Sequence, residues 1–88
     1  MNLDNIRADI DDIDHELVHL FQVRMNLVSE VAKYKAANNI PIFNPEREKE
    51  ILNNLIPEGE LGPYTKDFLQ SIFDISKKYQ SLLILQEG

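Results

Sequence analysis

The sequence contains no cysteine. That excludes a disulfide, a thiolate nucleophile and any cysteine-based metal site, and it fits a reducing compartment. Glycine is scarce, at three residues, and the four prolines fall outside the long periodic stretches, so helices are favoured from the start. No glycine-rich phosphate loop can be traced, nor a serine–histidine–acid arrangement. Positive charge is in deficit: nine Lys and Arg against fifteen Asp and Glu leave a net charge of −6. A globally acidic surface repels nucleic acid and anionic membranes, so neither is an expected partner. It repels anionic metabolites too, unless a few basic residues are concentrated locally. No window approaches a membrane span, and the opening Met1-Asn2-Leu3-Asp4-Asn5 lacks the cationic start and apolar run of a signal peptide. A cytoplasmic protein is expected.

What is present reads as one all-α domain over residues 1–88, with 43% apolar and 27% charged residues. Steps of three and four from Leu3 pass through Ile6, Ile10, Ile13, Leu17, Leu20, Arg24, Leu27, Val31 and Tyr34, all apolar except Arg24. This heptad-like seam predicts one long helix over about 4–38, ending before Pro41 and roughly 50 Å in length. Asn44-Pro45-Glu46 signals a second start: a capping amide, a proline suited to the first helical position and an acid at the positive dipole end. That helix spans about 45–56, with Ile51, Leu52, Leu55 and Ile56 on one face. A third runs over about 63–85 with Phe68, Leu69, Ile72, Phe73, Ile75, Tyr79, Leu82 and Leu83 as its apolar side. Two helices of about 18 and 35 Å leave part of a 50 Å seam bare. The simple remedy is a homodimer intertwined through antiparallel long helices; the competing reading is a bent or broken first helix.

Arg24 interrupts the seam. A buried guanidinium needs an answer, either from an ion pair or register-setting role or from a bound anion. Lys35, eleven residues on, projects about 20° away on the helix wheel, with Val28, Val31 and the small Ala32 between them. Two long cations over an apolar floor could frame a compact anion. Arg7 lies seventeen residues before Arg24, about 25 Å along a straight helix. Either it pairs at the surface with Asp4 or Asp11, or it reaches the far half of an antiparallel partner. Arg47 stands in the first turn of the second helix, where a cation is misplaced and Glu48 is well placed. Ser76 and Gln80 share a face of the third helix, as edge residues or as ligand contacts. His15 and His19 have the i, i+4 spacing of a metal pair but fall on an outer, acid-flanked face that reads as solvated.

Together these residues resemble the all-helical class of chorismate mutases. The likeness runs from Leu3 to about Leu85, through IRADIDDIDHELVHLFQVR, VAKYK, IPIFNPEREKEIL and SKKYQ, in that order and spacing. It implies an isomerase of aromatic amino acid biosynthesis that turns the dianion chorismate into prephenate without cofactor or metal. Arg7, donated by the other protomer, and Arg24 would clamp the carboxylates. Lys35 and Gln80 would donate to the ether oxygen, Arg47 would support that frame, Glu48 would accept from the ring hydroxyl, and Ser76 would line the pocket near a carboxylate. Asn44 departs from relatives with an acid at that point; a cap or a backbone contact to the hydroxyl is what remains for it. Two alternatives share the fold: a lyase releasing pyruvate from isochorismate, and a non-catalytic regulatory or dimerisation module.

Overall fold

The computed structural model describes residues 2–87, and these form three helices with no strand among them: α1 (Leu3–Ala37), α2 (Pro45–Leu55) and α3 (Gly62–Glu87). α1 is unbroken over 35 residues, so the bent-helix alternative is not realised. Asn2 Oδ1 caps it by accepting from the Asn5 amide at 2.9 Å. At its far end Asn39 takes the left-handed conformation (φ 55°), and the Ile40 amide donates back to the Lys35 carbonyl at 2.9 Å. An asparagine there tolerates positive φ, and the resulting Schellman-type turn reverses the chain so that Ile42 comes back beside the last turn of α1.

α2 starts as its sequence dictates. Asn44 Oδ1 accepts from the Arg47 amide at 3.1 Å, Pro45 opens the helix, and Glu46 and Glu48 occupy the first turn. Gly59 (φ 99°) turns the following loop, and Gly62 enters α3 so tightly that a Cβ would lie 2.8 Å from the Pro57 carbonyl oxygen. α3 therefore begins at Gly62 rather than Pro63, and it runs on to Glu87 because no glycine or proline intervenes after Pro63.

α3 packs alongside α1, and α2 packs on α3. The two longer helices are parallel: Leu17 and Val18 neighbour Phe68, Arg24 meets Ser76, and Ala32 neighbours Leu83. Only Ala32 and Phe73 are buried hydrophobics among the described residues. Most of the α1 seam stays exposed, from Leu3, Ile6, Ile10, Ile13, Leu17 and Leu20 to Leu27, Val31 and Tyr34. The expected stripe of α3 is likewise only partly covered, since Phe68, Ile75 and Leu82 are exposed. The chain measures 54 × 27 × 14 Å, with a radius of gyration of 16.3 Å, against about 12 Å for a compact domain of this length. Its accessible surface is 7161 Å², where about 5,300 Å² would be expected for a folded monomer of its mass.

Candidate active site

The cleft forms where the second half of α1, the first turn of α2 and the middle of α3 meet. It has a volume of about 250 Å³. Its floor is apolar, with Val28, Val31, Ile51 and Phe73, and its polar side chains converge from all three helices.

Arg24 enters from α1 and is half-buried. Its Nη1 donates to Ser76 Oγ at 2.5 Å, while the Ser76 hydroxyl donates to the Ile72 carbonyl of its own helix at 2.7 Å. One hydroxyl thus spends its proton on the backbone and offers a lone pair to the guanidinium, which fixes the direction of Arg24. Burial lowers the Arg24 pKa from its usual value, and the nearby charge of Arg47 lowers it further. A guanidinium is so strongly basic that Arg24 stays a cation at neutral pH. It has no carboxylate partner among the described residues, so no ion pair within the chain answers this seam cation.

Lys35, one wheel position away, points into the same cleft. Its ammonium donates to the Ile42 carbonyl at 2.7 Å, a group delivered by the Asn39 turn, and it too has no carboxylate partner among the described residues. An ammonium carries three donors, so the carbonyl steers it without exhausting it. Gln80 lies on α3 one turn beyond Ser76, and both are buried, at 6% and 5% exposure, rather than standing at an edge. Gln80 Oε1 is buried with no hydrogen-bond partner among the described residues. An orphaned buried acceptor costs about 1–3 kcal/mol, a cost tolerated where a ligand is to be bound. A half-turn of the amide exchanges its oxygen for the NH₂ donor.

The other candidates divide. Asn44 lines the cleft, but its Oδ1 is committed to the α2 cap. Glu48 lines it half-buried. Arg47 also lines it, yet the apparent misplacement of a cation in the first turn has a local answer: Nη1 pairs with Glu50 at 2.7 Å on the exposed i, i+3 face. Arg7 is exposed, remote from this cleft, and in no ion pair with Asp4 or Asp11 among the described residues. His15 and His19 are exposed, and no cluster of three or more metal-ligating side chains occurs among the described residues. The residue missed from the sequence is Lys77. Phe73, Ser76, Lys77 and Gln80 repeat at the i, i+3, i+4, i+7 spacing of one helix face, which was signal enough to place it on the cleft wall.

Four cations, Arg24, Lys35, Arg47 and Lys77, thus face one carboxylate, Glu48, in a protein of net charge −6. Such a basic pocket in an all-helical domain carries the local positive potential that attracts a compact anion. The chain belongs to the chorismate mutase type II family, whose model matches residues 6–81. This bears out the resemblance read from the sequence. It is 37% identical over 70 residues to the T-protein of Haemophilus influenzae, covering 80% of this chain and 19% of that protein. It is 37% identical over 54 residues to a bifunctional chorismate mutase/prephenate dehydratase of Aquifex aeolicus, covering 61% and 15%. A chorismate mutase of Methanocaldococcus jannaschii is 42% identical over 53 residues, covering 60% and 54%. The chain therefore spans about a fifth of the length of the T-protein it matches. No solved structure matches it. No helix among the described residues is long and apolar enough to cross a membrane.

Proposed function

We propose that this chain rearranges chorismate to prephenate, as a homodimer in which Arg7 of each protomer completes the other's cleft. The observation that carries this reading is that Arg24 and Lys35 converge in one half-buried cleft, and neither is neutralised by a carboxylate. The reaction is concerted: the ether C–O bond breaks as a C–C bond forms, no proton is transferred and nothing leaves the molecule. It needs the substrate held in its reactive chair and donors aimed at the ether oxygen, where negative charge grows.

Each residue then has a task. Arg24, with Arg7 of the partner, clamps the two carboxylates in the planar, forked geometry that suits guanidinium. Ser76 orients Arg24 and lines the carboxylate end. Lys35 and the NH₂ of Gln80 donate to the ether oxygen. Glu48 accepts from the ring hydroxyl, while Arg47 adds positive potential at the rim. Asn44 acts through the start of α2.

Surface area supports the dimer. An excess of nearly 2,000 Å² over a folded monomer of this mass, most visible along the bare α1 seam, is the scale of one side of an obligate interface. Incubation of the purified chain with chorismate and, separately, isochorismate should yield prephenate from the first and no pyruvate from the second. Pyruvate release from isochorismate without prephenate formation would overturn the reading in favour of a lyase.

Gln80 gives a sharper expectation. Gln80→Leu removes a donor to the ether oxygen and should lower kcat about 10²-fold. The same change removes an orphaned acceptor, so thermal stability should hold or rise, by up to about 1 kcal/mol, or a few degrees in Tm. Loss of activity together with a large loss of Tm would mean that Gln80 serves packing instead.

A further inference from the structure

Lys77 has no task in the reaction as described, yet it completes the cation ring of the cleft. It lies one residue after Ser76 on α3 and faces α2 rather than α1. Its Nζ is 3.0 Å from Glu48 Oε2, with the two side chains only 29% and 19% exposed. It sits 4.5 Å from the centroid of the Phe43 ring, the residue just before the α2 cap. A second carboxylate, Asp74 Oδ1 at 3.7 Å, is 70% exposed, and a pair so open to solvent contributes little. The ammonium is thus held by Glu48 and by the ring face, both at the start of α2.

Glu48 needs such a restraint. It is the lone carboxylate on a wall that also carries Arg24, Lys35 and Arg47, and its side chain has three rotatable bonds. The α2 dipole favours its charge but does not aim it. Released, it would be drawn onto Arg24 or Lys35 and would occupy the donors meant for the substrate carboxylates and ether oxygen. Held through Oε2, it keeps Oε1 available to a hydroxyl in the cleft.

We propose that Lys77 is a positioning residue: by tethering Glu48 Oε2 against the Phe43 face, it keeps that carboxylate off Arg24 and Lys35 and presents Oε1 to the hydroxyl of the bound substrate. This rests on the mutase reading for the identity of that substrate. The tether itself does not. A free carboxylate competes with substrate for the same cations, so the main effect falls on KM rather than kcat.

The test is a double-substitution cycle with a spectroscopic arm. Lys77→Met, which keeps the stem, should raise KM about tenfold with a smaller change in kcat, and Lys77→Arg should recover most of that loss. In a Glu48→Gln background, Lys77→Met should cost less than about twofold, because nothing is left to tether. Asp74→Asn should leave both constants unchanged. A full tenfold cost in the Glu48→Gln background would overturn the proposal, since Lys77 would then act directly on the dianion. So would wild-type constants in Lys77→Met.

In the ligand-free protein, the ε-methylene protons of Lys77 should be shifted upfield by the Phe43 ring and should return toward ordinary values in Glu48→Gln. Unshifted protons in the wild type would overturn the tether without reference to any substrate. Shifted protons in a wild-type chain inactive on chorismate would uphold the tether and sink the mutase reading instead.

Discussion

Lys35→Met is expected to lower kcat about 10³-fold while KM changes by less than about fivefold. The ether oxygen of chorismate is nearly neutral in the ground state and gains negative charge only as its C–O bond lengthens. A cationic donor aimed at it therefore acts mainly on the transition state, and a loss of 10³ corresponds to about 4 kcal/mol of that stabilisation. Methionine keeps the apolar stem and removes the ammonium, so packing is preserved. The folded protein loses one hydrogen bond, from Nζ to the Ile42 carbonyl, and is relieved of one cation in a crowded basic cleft. Those two changes oppose each other, and stability should move by no more than about 1 kcal/mol. Lys35→Arg keeps the charge but replaces a compact ammonium with a broad fork and should not restore full activity. Steady-state kinetics with a thermal melt decide the matter. An unchanged kcat, or a tenfold rise in KM alone, would place Lys35 on a carboxylate instead of the ether oxygen.

How far these residues could be read in advance depends on whether their partners are local in sequence. Arg24 was legible because a heptad seam makes a lone cation conspicuous, and Lys35 because eleven residues are just over three whole turns. The Asn44 cap was legible for the same reason: the amide it meets is three residues away. The Arg47–Glu50 pair was equally local, and reading the first-turn cation as misplaced overlooked it. Lys77 was different. Its helical face is periodic with Phe73, but its partner Glu48 lies on another helix, and no spacing in the chain gives that distance. The Lys35 contact likewise depends on a single left-handed residue, Asn39, which decides where the Ile42 carbonyl comes to rest. The burial of Ser76 and Gln80 depends on how α3 is rotated against α1, which an apolar stripe broad enough to include Phe68 and Leu82 leaves undetermined. Periodicity also identified the apolar face of α1 without saying what covers it; within the chain most of it is uncovered.

Mixing two inactive variants is expected to restore activity. Arg7→Ala and Arg24→Ala should each lose about 10³-fold or more in kcat/KM, because each leaves a substrate carboxylate unpaired in a desolvated site. After subunits are exchanged in equal amounts, half of the dimers are mixed, and each mixed dimer holds one site with both arginines intact and one with neither. Activity should therefore recover to about a quarter of wild type, far above either parent. The converse mixture sharpens the geometry. A chain carrying both substitutions, mixed with wild type, spoils both sites of every mixed dimer if Arg7 acts across the interface, and only one if it acts within its own chain. The in-trans arrangement predicts about one quarter of the activity of an all-wild-type sample, and the in-cis arrangement about one half. The physical ground for choosing between them is α1 itself. It runs without a break from Leu3 to Ala37, and seventeen residues of helix hold Arg7 about 25 Å from Arg24, beyond the reach of both side chains. The antiparallel pairing of α1 helices proposed above would carry Arg7 to the cleft, and a first mixture that stays at parental activity would show that it does not.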